Sequence, residues 1–285
     1  MPTSKRISSI AFLLVILLAL LFMPRDQATH AFTGNVLLLT AHPDDECMFF
    51  APTLRALLSA GTPVYSLCLS TGDVDGLGPI RAAELGRSLD VLGIPPTRRW
   101  VVDHLELQDN FTARWDSDTI ADVLRPYIVE NDISTILTFD AGGVSGHPNH
   151  RSLPDGAARL LDLHDSSIKL YTLVTWPVIA KYTGLLAPIL AKSSLAQVDI
   201  YPFLDAHVTN LRRAFQLVTT PASSSEQPVG LVLAISGVAD YLTALNAMRA
   251  HESQLVWFRW LYVLFSRYMW VNEWSELSIP VPSAS

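Results

Sequence analysis

Residues 36–46 read VLLLTAHPDDE, an apolar run of strand length that passes directly into polar side chains. Further apolar runs recur along the chain, separated by stretches with helical periodicity. The predicted strands cover 36–40, 64–69, 100–103, 135–139, 170–175 and 229–235, and the predicted helices cover 48–60, 80–92, 118–130, 149–163 and 239–250. Uniformly apolar strands that alternate with helices indicate a parallel sheet covered on both faces. We therefore predict an α/β fold with a Rossmann-like, doubly wound, mostly parallel sheet and helices on both faces.

Composition narrows the classes of partner. The 285 residues include 20 Lys and Arg against 27 Asp and Glu, for a formal net charge of −7, and the basic residues form no long run. Nucleic acid is therefore not an expected partner.

Cys47 and Cys68, the only cysteines, lie in or beside apolar runs. This placement favours two buried free thiols in a reducing compartment over a disulfide.

An uncharged apolar segment, Ile7 to Met23, stands near the N-terminus, after Lys5 and Arg6. At about 1.5 Å per residue it would span about 25 Å, slightly less than a hydrocarbon core of about 30 Å. We predict one transmembrane helix and a short linker in residues 1–34, followed by a folded domain at 35–285. A cleaved signal peptide is the alternative, because small residues at 28–31 resemble a cleavage site.

Two polar loops follow predicted strands, and both should lie at the same rim of the sheet, where such folds bind ligands. They are AHPDDE at 41–46 and GHPNH at 146–150. His42 and Asp45, with one histidine of the second loop, would make a hydrolytic zinc site. Asp44 could then act as a general base, and His147 could protonate or stabilise the reacting groups. The alternative is that Asp44 or Asp45 only caps a helix.

The same loops carry a resemblance to a known family. The segments AHPDDECMFFAPTL (41–54) and GGVSGHPNHRSL (142–153) resemble the two motifs of the LmbE-like, or PIG-L, deacetylases. Residues 66–85 and 247–269 resemble the eukaryotic branch, the N-acetylglucosaminyl-phosphatidylinositol de-N-acetylases. The resemblance implies zinc-dependent removal of the N-acetyl group from that glycolipid, the second step of glycosylphosphatidylinositol (GPI) anchor biosynthesis. Its products would be glucosaminyl-phosphatidylinositol and acetate.

The resemblance also implies roles for individual residues. Position by position, the family's metal ligands fall on His42, Asp45 and His150, its general base on Asp44 and its second catalytic histidine on His147. The ligand set suits zinc, although iron, cobalt or manganese would also bind it.

Four further residues match family positions near the substrate: Asp73, Arg81, Glu84 and His251. Arg81 would bind the lipid phosphate or a sugar hydroxyl, but an Arg–Glu pair along one helix is an equally good interpretation. Asp73 has turn formation as its alternative, and His251 has packing of the C-terminal segment.

Two arguments about membrane topology conflict, one from the charges beside the apolar segment and one from the family resemblance. Lys5 and Arg6 favour a cytosolic N-terminus, which would place the domain in the lumen. The resemblance implies the opposite: a single-pass protein of the endoplasmic reticulum membrane with a cytosolic catalytic domain. We adopt the second. Aromatic residues at 255–274 would form either core or a membrane-interface contact.

Two other functions compete with the leading one. A deacetylase of soluble N-acetylated sugars would use the same metal chemistry. A non-catalytic membrane scaffold would have no use for the complete set of site residues.

Overall fold

Eight strands form one sheet in the part of the chain described by the computed structural model, which is residue 18 and residues 25–163, 167–195 and 231–277. The sheet order is β1-β7-β8-β6-β5-β2-β3-β4. The strands are β1 (Arg25–Asp26), β2 (Asn35–Thr40), β3 (Val64–Cys68), β4 (Arg99–Val101), β5 (Ile133–Phe139), β6 (Lys169–Leu173), β7 (Val232–Ile235) and β8 (Val271–Glu276).

Strands β6, β5, β2, β3 and β4, adjacent in that order, run parallel to one another, and β2 lies at their centre. Residues 36–40 of β2 are all buried. Because neighbouring side chains of a strand point to opposite faces, both faces of the sheet are covered at this strand. The predicted mostly parallel α/β sheet is confirmed.

Eleven α-helices, the shortest a single turn, lie in the described part of residues 25–277, besides 3₁₀ turns at Asp73–Asp75, Pro96–Arg98 and Arg267–Met269. They are α1 (Ala28–Ala31), α2 (Asp45–Phe49), α3 (Ala51–Ser59), α4 (Gly78–Leu92), α5 (Ser117–Glu130), α6 (Gly143–Gly146), α7 (Pro148–Leu163), α8 (Val178–Lys181), α9 (Leu186–Leu195), α10 (Val238–Arg249) and α11 (Trp257–Phe265). Helices α5 and α7 contact each other and β5, whereas α3 contacts β3, β7 and β8. Helix α10 packs on α2, α3 and α4.

The aromatic tail contains a strand that the sequence reading did not predict. Strand β8 runs antiparallel to both β6 and β7, and β1 runs antiparallel to β7. Trp270 and Trp274 are buried here, so this part of the tail is core. The outer residues of α11, in contrast, are exposed, with Trp257 75% accessible. The core interpretation is confirmed for Trp270 and Trp274, whereas a membrane-interface contact of the exposed part stays a prediction.

The predicted continuous helix over 48–60 is wrong, because it divides at Phe50 into α2 and α3. Pro52 has no N–H to donate to the carbonyl of Met48, and the Tyr262 hydroxyl donates to that carbonyl instead, at 3.2 Å. Asn272 from β8 accepts from the Thr53 N–H and donates to the Phe49 carbonyl. A distant strand thereby satisfies the backbone groups at the break.

From the sequence, Ser117 would be placed to cap the predicted helix 118–130. Helix α5 instead begins at Ser117 and Asp116 is its N-cap, since the Asp116 carboxylate accepts the Thr119 N–H at 2.9 Å.

The predicted membrane helix and linker in residues 1–34 lie only partly within the described residues. Apart from Leu18, the segment predicted to cross a membrane lies outside the described residues, as does the polar tract at 222–227. Searching the described helices for one long and apolar enough to span a bilayer finds none. Residues 25–32, predicted as linker, contribute β1 and α1, and Phe32 is buried against Tyr171 and Trp274. The packed domain therefore begins before residue 35.

Candidate active site

The turn after β2 is organised by one carboxylate. The Asp45 Oδ2 atom accepts the backbone N–H groups of Ala41 and His42 at 3.0 and 2.9 Å. Two such bonds lock the carboxylate in place and favour its ionised form. The pKa of Asp45 is lowered despite the opposing effect of burial, because His150 and His42 lie beside it. Its second oxygen, Oδ1, remains directed at the other loop.

Three side chains from the two loops converge on one point. The His150 Nε2 atom lies 3.2 Å from Asp45 Oδ1 and 3.3 Å from His42 Nδ1. Two ligands about 2.1 Å from a tetrahedral zinc ion are separated by about 3.4 Å. The observed separations therefore fit a divalent metal between these atoms. The loops at the ends of β2 and β5 meet as the sequence predicts.

Hydrogen bonds behind the two histidines fix which nitrogen faces the site. The Nδ1 atom of His150 lies 3.1 Å from the Gly143 carbonyl, and the Nε2 atom of His42 lies 3.1 Å from the Asn149 Oδ1. Each outer nitrogen therefore carries the proton, leaving the inner lone pair free for a metal. Asn149 is fully buried and also accepts the Asn110 N–H at 3.0 Å. Asn149 is therefore placed to orient His42.

His147 completes the histidine cluster. Ring nitrogens of His42, His147 and His150 all lie within 4.8 Å of one another. The His147 Nδ1 atom accepts the Asn149 N–H at 3.2 Å, so the proton of the neutral ring resides on Nε2. Burial and the neighbouring His42 and His150 lower the pKa of His147 to about 4. At neutral pH this ring is an uncharged N–H donor.

Asp44 differs from Asp45 in its hydrogen bonding and in the direction of its pKa shift. Its φ of 98° lies in the left-handed region, which aspartate tolerates better than most residues. Its N–H donates to the Glu46 Oε2 at 3.1 Å. The buried Oδ2 makes no hydrogen bond in the described structure, although Arg259 lies 3.3 Å away. Burial raises the pKa of Asp44, against the opposing charges of Arg259 and Arg81.

Asp109, which the sequence reading missed, lies in the same cluster. Its Oδ1 atom is 3.2 Å from His42 Nε2 and 3.7 Å from His147 Nε2, and its Oδ2 atom is 3.6 Å from Arg81 Nη1. Burial opposes ionisation, but His42 and Arg81 nevertheless lower the pKa of this carboxyl. No signal along the chain distinguishes it, because Asp103 and Glu106 occupy the same loop after β4.

Arg81 lines the cavity but is largely committed to the protein. Its guanidinium donates to the carbonyls of Gly72 and Pro43 at 2.7 and 2.9 Å. A side chain at Gly72, which has φ of 68°, would place its Cβ 2.4 Å from Arg81 Nη1, so this approach requires glycine. Glu84 does not serve the helix pair considered above: it accepts the Ser253 N–H and hydroxyl at 2.8 and 2.6 Å.

Three residues predicted near the substrate lie outside the cavity lining: Asp73, Glu84 and His251. The Asp73 carboxylate accepts the Gly78 N–H at the start of α4. His251 is fully buried, and its Nε2 atom lies 2.7 Å from the Glu46 Oε1. Since Glu46 also accepts the Asp44 N–H, His251 supports the Asp44 turn from behind. Both cysteines are free and buried, as predicted.

A cavity of about 510 Å³ opens above the cluster. Its floor contains His42, Asp44, Asp45, His147, His150 and Asp109. Its walls include two cations, Lys181 and Arg259, and the aromatic rings of Phe111, Tyr182, Tyr262 and Tyr268. The cavity is large enough for a sugar and places ionisable groups at one end. Lys181 lies outside the segments that resemble the family, and Arg259 lies within one of them, at 247–269, where nothing in the sequence assigns it a role.

Known proteins are similar to this chain in sequence and in fold. A family model described as "PIG-L: GlcNAc-PI de-N-acetylase" matches residues 37–161. An N-acetylglucosaminyl-phosphatidylinositol de-N-acetylase of Bos taurus is 37% identical over 242 residues, covering 84% of this chain and 82% of that protein. The Saccharomyces cerevisiae protein of the same name is 33% identical over 244 residues, covering 83% and 79%.

Solved structures agree at the level of the fold. A deacetylase triple mutant of the teicoplanin biosynthetic pathway superposes with a TM-score of 0.56 at 14% identity, covering 85% of this chain and 98% of that one. Identity so low supports a shared fold alone. The identity of the two de-N-acetylases is much higher, and the family model matches residues 37–161, which include both loops that build the cluster. The chain therefore belongs to the PIG-L family of de-N-acetylases.

Proposed function

We propose that the chain hydrolyses the acetamide of N-acetylglucosaminyl-phosphatidylinositol, releasing acetate and glucosaminyl-phosphatidylinositol in GPI-anchor biosynthesis. The observation that carries the proposal is the Asp44 carboxylate, which lines the cavity beside the converging atoms of His42, Asp45 and His150 and has one oxygen without a hydrogen bond, 3.3 Å from Arg259. A base next to a metal-binding set is what amide hydrolysis requires. The names of the relatives supply the substrate.

A divalent ion, zinc in this proposal, would be held by His42, Asp45 and His150. When bound, it would polarise the acetamide carbonyl and favour ionisation of a nearby water. The observed 3.2 and 3.3 Å separations between ligand atoms support this assignment. Asn149 and the Gly143 carbonyl would keep the two imidazoles in the required orientation.

The protein's own groups would move the protons. Asp44 would take a proton from the attacking water, a role for which its raised pKa and free oxygen suit it. The neutral His147 ring would donate a hydrogen bond from its Nε2–H to the carbonyl oxygen as negative charge develops there, and would keep its proton. The C–N bond then breaks, and the proton held by Asp44 is available for the leaving amine. The Asn149 N–H, which donates to His147 Nδ1 at 3.2 Å, would keep the Nε2–H of that ring turned toward the cavity, and Asp109 would support His42, 3.2 Å from its Oδ1.

The substrate also carries a phosphate, and Arg259 is the best-placed group to bind it. Arg259 is partly exposed, with 27% of its side chain accessible, and lines the cavity. Arg81, in contrast, donates hydrogen bonds from both terminal guanidinium nitrogens to the backbone carbonyls of Gly72 and Pro43. An arginine fork suits a phosphate diester well. We therefore assign the phosphate to Arg259 and leave to Arg81 the support of the Asp44 turn.

Adjacent aspartates allow a matched test. Asp44→Asn should keep the metal and lose turnover by about 10²- to 10⁴-fold, because a base is removed while an amide fits the left-handed turn. Asp45→Asn should lose both, since a ligand is removed. Metal content and deacetylation rate are measured on the same preparations. An Asp44→Asn protein with unchanged turnover would remove Asp44 from its role.

The location follows from the substrate. We propose that the enzyme works at the endoplasmic reticulum membrane with its catalytic domain in the cytosol, as the family resemblance implies. The two buried free thiols support a reducing compartment. Protease protection in sealed microsomes tests this: a protected catalytic domain would place it in the lumen.

A further inference from the structure

Large exposed apolar side chains concentrate on two neighbouring segments, which together we name the apolar rim. One segment is 178–186 and the other is α11. The Gly184 N–H donates to the Phe265 carbonyl at 2.8 Å, which joins the two. The rim side chains, each at least half accessible, are Val178, Ile179, Tyr182, Leu185, Leu186, Trp257, Phe258, Leu261, Leu264 and Phe265.

Helix α11 presents an apolar outer face. Trp257, Leu261 and Leu264 are 75%, 50% and 54% accessible and recur at the spacing of one helical side. Val263 on the inner side is buried. An inner apolar face is ordinary for a surface helix, but an outer one is not. Exposed apolar surface of this extent marks an interaction site.

The rim adjoins the candidate active site. A second hollow, of about 450 Å³, is lined by Tyr182, Phe258, Arg259, Leu261, Tyr262 and Phe265. Tyr182, Arg259 and Tyr262 also line the cavity above the metal-binding cluster. An apolar path therefore leads from the rim to the cavity, with Arg259 at the junction.

The charge of the rim differs from that of the chain. The protein has a net charge of −7, yet residues 167–195 and 253–272 contain no Asp or Glu. Their cations include Lys181 and Arg259, both at the cavity. An anionic surface would repel most of this protein but not this side of it.

We propose that the apolar rim docks on the phospholipid bilayer, so that the cavity opens toward the headgroups. The inference rests on the proposed function, because a glycolipid substrate keeps its acyl chains in the membrane. Trp257 and its neighbours lie among the headgroups and upper acyl chains, as interfacial aromatic residues do. The hollow beside Phe258 and Phe265 receives the upper acyl chain, and Arg259 meets the phosphate between lipid and sugar.

Tryptophan fluorescence tests the docking without any activity. The full chain is placed in phosphatidylcholine–phosphatidylinositol vesicles whose acyl chains are brominated or not. Residues 1–34 contain no tryptophan, so a membrane-embedded N-terminus contributes no signal. We expect bromolipid quenching in the wild type and a large loss of the quenched component in Trp257→Phe. The control Trp100→Phe, on strand β4, should leave that component intact. Absent quenching, or equal quenching in Trp257→Phe, overturns the proposal and favours a protein partner or a second copy.

Kinetics supply an independent test. The double variant Trp257→Glu/Leu264→Glu is compared with Leu105→Glu/Val129→Glu, whose wild-type side chains are 92% and 68% accessible. The first should lower kcat/KM for the diacyl substrate in vesicles by about tenfold or more, and leave the rate on its water-soluble, deacylated analogue unchanged. The control should change neither. Parallel loss on both substrates, or no loss on vesicles, contradicts docking. A wild type inactive on both would refute the proposed function, while quenching would still report the docking.

Discussion

Asp44 and Asp45 are chemically identical neighbours with different environments. Two backbone N–H groups hold one oxygen of Asp45, whereas the Asp44 Oδ2 is buried without a hydrogen bond. The left-handed conformation of Asp44 is maintained by Glu46, which accepts its N–H and is itself paired with His251. Strained backbone of this kind persists at functional sites when its surroundings over-determine it. The pair thus divides into a fixed ligand and a free base.

Arg259 should determine affinity for the phosphate of the substrate. Replacing it with Gln removes charge-assisted hydrogen bonds of about 1.5–3 kcal/mol, which corresponds to an increase in KM of about ten- to hundredfold. The same change should affect KM little for N-acetylglucosaminyl-inositol, which has no phosphate. Steady-state kinetics on both substrates give the comparison.

A control variant and one contradicting outcome test the assignment of Arg259 to the substrate phosphate. Arg125→Gln, on the exposed side of α5 where Arg125 pairs with Asp122, should change neither KM. Equal effects of Arg259→Gln on both substrates would mean that Arg259 acts on Asp44, 3.3 Å away, and not on the phosphate.

At the scale of elements, the junction between α2 and α3 depends on strand β8. The Asn272 side chain accepts from the N–H and hydroxyl of Thr53 at 3.1 and 2.8 Å and donates to the Phe49 carbonyl at 2.6 Å. Asn272 is fully buried. Asn272→Ala should therefore lower the free energy of unfolding by about 1–3 kcal/mol for each backbone group left unpaired.

Urea denaturation followed by circular dichroism measures this loss. Asn246→Ala is the matched control, because Asn246 is exposed and bonds only to the Arg249 side chain among the contacts described. Since α2 carries Asp45, Asn272→Ala should also weaken metal binding. A variant as stable as the wild type would show that water replaces the Asn272 bonds.

At the scale of the whole molecule, metal binding should stabilise the fold, because the ligands come from two loops 100 residues apart in sequence or more. A ligand that binds the native state alone adds about 2.7 kcal/mol at a concentration 100 times its dissociation constant. Removing the metal with a chelator should lower Tm by several degrees, and added zinc should restore it. Asp45→Asn should show no such shift. Identical melting curves with and without chelator would exclude a metal in this cluster.

The fold and the centre of the site were readable along the chain for a physical reason. Buried parallel strands must be apolar throughout, so 36–40 and 135–139 stand out locally, and ligand motifs that follow such strands necessarily meet at one rim. The two polar loops, with His42, Asp45 and one histidine of the second loop as candidate ligands, are therefore predictable from the strands before them, whereas the choice of His150 over His147 rested on the family resemblance. The same local pattern explains the wrong prediction of one helix over 48–60, because α2 and α3 form one periodic run and only Pro52 indicates the break.

Asp109, Arg259 and Asn272 became visible only with the folded chain. Arg259 reaches Asp44 from 215 positions away, and Asn272 reaches Thr53 across 219. Contacts at such separations depend on how elements pack, and no local periodicity encodes them. The same holds for the apolar rim. Trp270 and Trp257 stand in one aromatic tail, yet Trp270 is buried, with its ring stacked on Tyr241 of α10, and Trp257 is exposed, because burial is a property of the neighbours and not of the residue.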